Sequence, residues 1–491
     1  MELIHQIVEH GTTIRDAMAV IDKAAIKLCI VVDQTARLSR TLTDGDIRRA
    51  LLGGCDLDQE ISVLPGKKPI SFASDTPTTE LVVALRRHAV NAIVLIDAND
   101  RPVGLVDLKS LGENIYLSPP HMGETEFGFV KQAMEDNWIA PAGPNLEKFE
   151  SRLAEIVSRD HAVALSSGTA GLHLALRVLN IDSQDAVYVS DLTFVASVQP
   201  VLYQNAQPIL IDSEPDGWNM CPDALERRLA YDDKHGKLPA AIIVVHLYGQ
   251  SANLRAILEL ANRYDVPVIE DAAESLGASY ERKPSGSHGL LTAYSFNGNK
   301  IITTSGGGAL VTDDLELANR ARKLATQGRD NAEHYQHSEL SYNYRLSNIL
   351  AGIGRGQLDK LSSHVSRRRE IFQNYKAGFE DVKGLSFQKD IEDSVGSRWL
   401  TVINFDPDQI DFHPYQFMRR LVQKGIETRP AWKPMHMQPL CAGFPFEPHS
   451  SNQVVSHSLF LRSLCLPSGS SLSDSGQSRV IDEIRAIILE T

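Results

Sequence analysis

Short apolar runs alternate with amphipathic stretches over most of the chain after residue 116. Strands are expected at 161–165, 186–190, 207–212 and 240–245, and helices at 124–136, 145–158, 169–180, 193–204 and 222–231. Strands that alternate with helical periods imply a mainly parallel sheet covered by helices on both faces. The sequence therefore predicts an α/β fold whose ligands bind beyond the carboxyl ends of the strands.

The segment around Lys300 is the centre of this pattern. The apolar run 266–269 is expected to form a buried strand that ends in the acidic residue Asp271. A second strand is expected at 291–296, just before Lys300, and the glycines at 306–308 follow the lysine. Glycines let backbone or ligand come close. We therefore expect Lys300 to lie in a loop beside a ligand site.

A lysine that acts as a covalent nucleophile forms a Schiff base, most often with pyridoxal phosphate. That cofactor needs a carboxylate at its pyridine nitrogen, a phosphate site, and a flat group against its ring. Asp271 meets the first need, the hydroxyl of Ser295 can reach the phosphate, and Phe194 can cover the ring. Each residue alone also has a commoner interpretation: a surface lysine in a turn, a helix-capping aspartate, a core phenylalanine.

The strand expected at 161–165 runs into Ser-Ser-Gly-Thr-Ala and then an amphipathic helix. A helix that begins near Gly168, Thr169 and Ala170 offers free N–H groups, a favourable dipole and hydroxyls, which together suit a phosphate. The alternative is an ordinary helix N-cap.

Taken in order, the motifs SSGTAGLHLAL, DLTFVAS, EDAAES, YSFNGNKIITTSGGG and YNYRLSN resemble the DegT/StrS family of nucleotide-sugar aminotransferases. That family has the aspartate-aminotransferase fold, fold type I. The resemblance covers residues 116–491 and implies a large pyridoxal phosphate-binding domain at 116–370 and a smaller α/β domain at 371–491. It also implies a homodimer or a higher homo-oligomer.

The motifs YLSPPHMGETE, NWIAPAGPN, ETRPAWKPMH and LCLPSG resemble one branch of the family more narrowly. That branch transfers an amino group, from L-glutamate by resemblance, to C4 of UDP-2-acetamido-2,6-dideoxy-hexos-4-ulose, on the way to bacillosamine-type sugars. UDP, GDP and dTDP sugars remain open, because closely similar relatives use them all.

The resemblance implies a role for each matching residue. Lys300 and Asp271 are the expected catalytic residues, and Glu274, where many relatives have glutamine, would bond the phenolic oxygen of the cofactor. The residues expected to hold the cofactor are Gly168, Thr169, Ala170, Phe194, Asp271, Glu274, Ser295, Lys300 and Asn343. Asn343 would reach the cofactor phosphate of a neighbouring subunit, or else serve a turn. Trp138, Arg429 and His436 are candidate substrate contacts, with structural ion pairing as the alternative for the last two.

Two other functions are alternatives to this one. A dehydratase branch of the family carries histidine in place of the lysine, so Lys300 argues against it. A nucleotide-sensing regulator on an inactive scaffold is disfavoured by the intact Lys300, Asp271 and phosphate site.

Residues 1–115 contain a weak internal repeat, at 12–54 and 76–111, that resembles a tandem pair of CBS modules. Such pairs commonly hold an adenine nucleotide. Thr43 and Asp46 match the ligand pattern of these modules in the first unit only. The alternative is that Asp46 caps a helix and that the pair serves packing or dimer formation.

The charge balance argues against a nucleic-acid surface, since the formal net charge is −13. The five cysteines show no metal-binding spacing, and no signal peptide or apolar run of spanning length is seen. We therefore expect a cytoplasmic protein with no metal site, no membrane segment and no nucleic-acid partner.

Overall fold

The computed structural model describes residues 6–24, 27–64, 69–74, 76, 78–88, 90, 92–107, 114–411 and 413–490. Residues 108–111 of the predicted second repeat thus lie outside the described residues. The chain forms two compact units: one reaches Asn114 and includes Gln423–Gly425, and the other comprises Ile115–Val422 and Ile426–Thr491. None of the helices in the described ranges is both long and apolar enough to cross a membrane.

The first unit contains the same arrangement of strands twice. Its elements are β1 (Ile7–Glu9), α1 (Ile14–Lys23), β2 (Leu28–Val32), β3 (Leu38–Thr43), α2 (Asp44–Leu52), β4 (Ser71–Ala73), α3 (Thr78–His88), β5 (Ala92–Ile96) and β6 (Pro102–Asp107). In each half a parallel pair, β1–β2 or β4–β5, is extended by an antiparallel partner, β3 or β6. The internal repeat predicted from the sequence is present.

Among the described residues, the second unit contains an eight-stranded sheet and two smaller sheets. Its strands are β7 (His161–Leu165), β8 (Ala186–Ser190), β9 (Gln207–Ile211), β10 (Ala241–Val245), β11 (Val268–Asp271), β12 (Ser279–Tyr280), β13 (Lys283–Pro284), β14 (Leu291–Ser295), β15 (Gly308–Thr312), β16 (Leu385–Phe387), β17 (Ser394–Val395), β18 (Thr401–Phe405), β19 (Arg429–Pro430), β20 (Phe446–Glu447) and β21 (Ser463–Leu466). The large sheet has the order β20-β9-β8-β10-β11-β14-β15-β7. Only the pairings of β15 with β14 and β7 are antiparallel. The mainly parallel sheet predicted from the sequence is confirmed.

Helices cover both faces of this sheet, which explains why its strands are continuous apolar runs. The helices after residue 116 are α4 (Glu124–Glu135), α5 (Pro144–Ile156), α6 (Gly168–Val178), α7 (Gln199–Tyr203), α8 (Pro222–Lys234), α9 (Leu254–Arg263), α10 (Leu315–Ala325), α11 (Asn348–Gly378), α12 (Pro414–Gln423), α13 (Val455–Arg462) and α14 (Asp474–Leu489). Every residue of β10 is buried. Side chains cap several helix starts, for example Asn253 at α9 and Asp314 at α10.

Two predicted elements differ from the structure. The strand expected at 266–269 begins instead at Val268, because Pro267 has no N–H to donate to the ladder. It extends through Glu270 and Asp271, whose carboxylates find hydrogen-bond donors within the protein. The helix expected at 193–204 is only a 3₁₀ turn at Val195–Ser197 followed by the short α7, in which Pro200 lies in the first turn.

The long helix α11 crosses α4 and α5 at close range. A Cβ atom on Gly356 would lie 3.0 Å from the backbone nitrogen of Glu126 in α4, so a larger residue would press on α4 at this crossing. The predicted boundary between residues 370 and 371 falls inside α11. Beyond it, β16, β18, β21 and β19 form an antiparallel sheet of four strands.

The C-terminal part also contributes a strand to the large sheet. Strand β20 pairs in parallel with β9 at its edge. The buried carboxylate of Asp212, just after β9, accepts hydrogen bonds from the N–H groups of His449, Val455 and Ser456. These contacts connect the C-terminal part to the large sheet within the second unit.

Candidate active site

A cavity of about 300 Å³ lies at the carboxyl ends of β7, β11 and β14. This is where parallel sheets place their ligands, and the volume suits a small-molecule site. Its walls are formed by Ser166, Ser167, Gly168, Thr169, Leu172, Thr193, Phe194, Ala196, Val245, Asp271, Ala273, Glu274, Ser295, Asn297, Asn299, Lys300, Gly306, Gly307, Trp399 and Trp432. Seven of the predicted site residues are thus brought together in one cavity.

One end of the cavity is the N-terminus of α6. Ser167 caps this helix, and its Oγ accepts a hydrogen bond of 3.0 Å from the N–H of Ala170. Gly168 abuts β14, since a Cβ atom there would lie 2.9 Å from the Cβ of Ser295. The first-turn amides of a helix have no carbonyl one turn earlier to bond. Thr169 and Ser295 line the cavity beside them, and such an arrangement suits an anion.

Ala170, predicted to help hold the phosphate, takes a different place. It is buried behind the cavity wall, and its N–H is used by the Ser167 cap. The ordinary N-cap, the alternative interpretation of this motif, is therefore present, and a contact of Ala170 with the phosphate stays a prediction.

Asp271 is buried at the end of β11, and two donors fix its carboxylate. Ser197 Oγ donates a hydrogen bond of 2.7 Å to Oδ2, and the N–H of Ala273 bonds Oδ1 at 3.2 Å. Thr193 Oγ1 lies 2.6 Å from Ser197 Oγ. The sequence reasoning missed Thr193 and Ser197, although both stand in the DLTFVAS motif.

Glu274 lies on the cavity wall beside Lys300, with 3.6 Å between Oε1 and Nζ. Burial raises the pKa of Glu274, although the nearby Lys300 ammonium and the N–H of Tyr248 oppose that shift. The Tyr248 N–H donates to Glu274 Oε2 at 2.7 Å. Tyr248 holds a left-handed backbone conformation, with φ of 55°, which a non-glycine residue adopts only when the surroundings require it.

Three aromatic rings face the cavity, where one was predicted. Phe194, which is 51% exposed, lies 5.3 Å from Trp432 between ring centroids. Lys300 Nζ lies 4.0 Å from the centroid of the Trp399 ring. Trp399 and Trp432 were not predicted as cavity residues, although Trp432 lies in the ETRPAWKPMH motif.

Behind the cavity, Glu270, the residue before Asp271 on β11, is also fixed by hydrogen bonds. Glu270 is fully buried and accepts hydrogen bonds from His246 Nε2 at 2.8 Å and from the N–H groups of Gly286, His288 and Gly289. Burial alone would raise the pKa of Glu270, but these donors outweigh it and lower the pKa to about 2. Because neighbouring residues of a strand point to opposite faces, Glu270 anchors the strand from the side away from the site.

The other predicted contacts do not line this cavity within the chain. Asn343 is exposed, and its backbone pairs with Thr326. Half of Trp138 is exposed, and its carbonyl accepts a hydrogen bond of 2.8 Å from Asn348 Nδ2.

Arg429 and His436 each contact a carboxylate of the same chain. Arg429 Nη2 lies 2.7 Å from Glu427 Oε1, and His436 Nδ1 lies 2.7 Å from Asp191 Oδ2. The His436 ring also stacks on Phe446. Both side chains therefore make the contacts with carboxylates that the alternative interpretation of the sequence predicts.

In the N-terminal unit, Thr43 and Asp46 form a capping box at the start of α2. Asp46 N donates to Thr43 Oγ1 at 3.3 Å, and Thr43 N donates to Asp46 Oδ2 at 2.9 Å. Arg49 Nη2 also contacts Asp46 Oδ1 at 2.6 Å. The capping role proposed as the alternative from sequence is therefore present.

The groups around the cavity fit pyridoxal phosphate. The α6 N-terminus with Thr169 and Ser295 suits its phosphate, the fixed carboxylate of Asp271 suits its pyridine nitrogen, and Phe194 offers a ring face. Lys300 lines the same cavity. No other lysine lines it among the residues that the structure describes.

Comparison with known proteins agrees with this site. The model of the DegT/DnrJ/EryC1/StrS aminotransferase family matches residues 120–485, and the CBS domain model matches residues 60–115. EpsN of Bacillus subtilis (strain 168), named as a pyridoxal phosphate-dependent aminotransferase, is 50% identical over 75% of this chain and 95% of its own. The GDP-perosamine synthase of Escherichia coli O157:H7 is 34% identical over 72% of this chain and 93% of its own.

Among solved structures, a DegT DnrJ EryC1 StrS aminotransferase from Brucella abortus superposes with a TM-score of 0.69 at 28% identity, covering 74% of this chain and 95% of its own. The match of the family model spans well over half of the chain and includes every residue that lines the cavity. The chain therefore belongs to the DegT/DnrJ/EryC1/StrS aminotransferase family, and it is a pyridoxal phosphate-dependent aminotransferase.

Proposed function

We propose that the chain transfers an amino group from L-glutamate to C4 of a 4-keto-6-deoxy nucleotide sugar, namely UDP-2-acetamido-2,6-dideoxy-hexos-4-ulose, for a bacterial surface glycan. The observation that carries the proposal is that Lys300 and Asp271 share one cavity with the N-terminus of α6. Pyridoxal phosphate, when bound, supplies the electron sink that such a transfer needs.

Lys300 has two tasks in this proposal. Its Nζ is the amine that attaches the cofactor covalently. When Lys300 is free, Nζ accepts the proton from the α-carbon of the amino donor as a general base and later returns one as a general acid. Its position between Glu274 and Trp399, on the cavity wall, supports both tasks.

The two carboxylates of the site have different tasks. Asp271 keeps the pyridine nitrogen protonated, and the bonds from Ser197 and Ala273 hold its oxygens in place for this. Glu274 bonds the phenolic oxygen of the cofactor. Because burial raises the pKa of Glu274, this carboxyl group can carry a proton where glutamine would present an amide.

The choice of sugar rests on the narrower motifs at 116–126, 137–145, 427–436 and 464–469. The relative named GDP-perosamine synthase makes a GDP-linked sugar the main alternative. In the test, the whole protein is first incubated with L-glutamate, so that its cofactor carries the amino group. A UDP, GDP or dTDP 4-keto sugar is then added in separate reactions. Mass spectrometry of the aminated product identifies the substrate, and amination of the GDP sugar alone would contradict the proposal.

Attachment of the cofactor is tested on its own. Borohydride reduction of the purified protein followed by peptide mass spectrometry is expected to find the cofactor mass on Lys300. Lys300→Ala should hold cofactor without a covalent bond and lose turnover, since the phosphate and ring contacts remain. Multiple turnover near the wild-type rate in Lys300→Ala would overturn the assignment.

We further propose that the protein acts in the cytoplasm as a homodimer, in which Asn343 reaches the cofactor phosphate of the neighbouring subunit. The exposed position of Asn343, away from the cavity of its own chain, supports this.

The unit that ends at Asn114 is proposed to be a CBS pair that takes an adenine nucleotide at Thr43 and Asp46. Calorimetry with AMP, ADP and ATP tests that binding, and Asp46→Ala should weaken it.

A further inference from the structure

The side chain of Lys300 meets two different surfaces inside the cavity. Its Nζ lies 4.0 Å from the centroid of the Trp399 ring and 3.6 Å from Glu274 Oε1. An ammonium group over an indole face is attracted by the negative face of the π system, and the attraction is strongest for tryptophan. Lys300 is largely buried, so this attraction acts with little competition from water.

The Trp399 ring is held firmly in this orientation. Its Nε1 donates a hydrogen bond of 2.7 Å to the carbonyl of Asn299, the residue next to Lys300. Its own carbonyl accepts a bond of 2.6 Å from Arg368 Nη1, and its ring lies parallel to that of Tyr248 at 6.4 Å. The Nε1 bond therefore connects the ring directly to the backbone beside Lys300.

We propose that Trp399 is a positioning residue for the transfer: its indole face, with the carboxyl group of Glu274, is the resting place of the Lys300 ammonium whenever Lys300 carries no covalent bond. This inference rests on the proposed function, in which Lys300 alternates between an attached and a free state. A defined resting place keeps the free amine in the cavity, ready to exchange protons and to reattach.

The environment of the amine contains few other charges. Glu274 faces it directly, and Asp271 lies on the same cavity wall. The guanidinium of Arg368 is fully buried and bonds the carbonyls of Trp399 and Ser468 and the hydroxyl of Ser118. A substitution at Trp399 leaves these charged side chains in the sequence and removes the indole ring together with its Nε1 hydrogen bond to Asn299.

The test measures the ionisation of Lys300 without relying on turnover. The whole chain is freed of cofactor with hydroxylamine and pulsed with isotopic acetic anhydride, which acetylates only neutral amines. Mass spectrometry then gives the labelling of Lys300 against pH. In Trp399→Leu, the midpoint of this profile is expected about one pH unit below that of the wild type, because the ammonium form has lost its aromatic partner.

Trp399→Phe separates the ring face from the Nε1 hydrogen bond. Phenylalanine keeps a face, although a weaker one, and cannot donate to Asn299. Its midpoint is expected between those of the wild type and Trp399→Leu. An equal shift in both variants would assign the effect to the lost hydrogen bond and overturn the proposal, as would an unchanged midpoint in Trp399→Leu.

Two controls complete the experiment. Lys389 is exposed and paired with Asp216, so its midpoint in the same digests should not move. Circular dichroism checks folding. If Trp399→Leu fails to fold, Trp399→Met, which also lacks both the ring and the Nε1 hydrogen bond, takes its place in the comparison with Trp399→Phe, with the same outcomes expected. Because neither cofactor nor sugar is present, a negative result leaves the proposed function standing. The absence of cofactor on Lys300 after borohydride reduction would instead refute the function.

Discussion

Ser197 Oγ donates a hydrogen bond of 2.7 Å to Asp271 Oδ2, and both side chains are shielded from solvent. Thr193 Oγ1 lies 2.6 Å from the same hydroxyl. Between Thr193 and Ser197 stands Phe194, whose ring faces the cavity. One short turn of chain thus supplies both a ring face and the orientation of the carboxylate.

Removal of this hydroxyl should slow the reaction without emptying the site. A hydrogen bond to a charged group contributes about 1.5–3 kcal/mol, so we expect kcat of Ser197→Ala to fall by roughly tenfold or more. Cofactor absorbance at saturation should stay normal. Ser285→Ala is the matched control: its hydroxyl is also buried and bonded, to Ser275, but does not line the cavity. Equal rates in the two variants would argue against the role of Ser197.

The two cavity carboxylates should respond differently to the same isosteric change. Asp271→Asn should retain cofactor and lose most of its rate, because a neutral amide cannot keep the pyridine nitrogen protonated. Glu274→Gln should keep most of its rate, since an amide can still donate to a phenolic oxygen. Steady-state kinetics of the pair decide this, and an Asp271→Asn rate within a few-fold of wild type would exclude the electron-sink role.

Glu270 should make the protein sensitive to acid. Its pKa is lowered from 4.5 to about 2 in the folded chain, so its contribution to stability is complete above pH 4.5 and is lost as the pH falls towards 2. A shift of that size corresponds to about 3 kcal/mol. Urea unfolding between these pH values should show a smaller acid loss for Glu270→Gln than for wild type, although the variant is less stable at neutral pH. Parallel pH curves would contradict the assignment.

The residues that line the cavity all lie after residue 115, so the chemistry should survive removal of the N-terminal unit. A chain that begins at Asn114 is expected to remain active if it is soluble. One that begins at Ser118 should be much less stable. It lacks the carbonyl of Ile115, which accepts from Glu427 N at 2.8 Å, and the N–H of Leu117, which donates to Glu427 Oε2 at 3.0 Å. Thermal melts and activity of the two chains give the comparison.

The proposed sharing of Asn343 between subunits predicts rescue by mixing. Lys300→Ala and Asn343→Asp should each be nearly inactive, the second because a carboxylate repels phosphate. Random exchange at equal amounts yields half mixed dimers with one restored site each, so roughly a quarter of wild-type activity should return. No recovery, with subunit exchange shown by mass spectrometry, would mean that Asn343 does not act across the dimer.

Local sequence was enough to predict which residues come together where strands end. Gly168, Asp271 and Ser295 each follow or end a strand of the same sheet, and parallel strands bring such positions to one edge. Their roles in holding cofactor remain predictions. Trp399 and Trp432 were not anticipated in the cavity, because their approach depends on how the C-terminal segment folds back and not on any nearby pattern.

The ends of the strands and helices were also predictable only where the local sequence determines them. The strands at 161–165 and 186–190 were predicted to the residue, because uninterrupted apolar runs define them. The segment after Thr193 was not predicted correctly. The hydrogen bond from Ser197 to Asp271 and the position of Pro200 favour a 3₁₀ turn followed by a short helix over one continuous helix.

The pairing of β20 with β9 also bears on how the chain is made. During synthesis, β9 leaves the ribosome long before Phe446 and Glu447 exist, so the outer edge of the large sheet stays open while most of the polypeptide is already present. Open strand edges attract other chains. The exposed edge of β9 is therefore covered only after translation has passed residue 447, when the last-made strand of the large sheet pairs with one of its earlier strands.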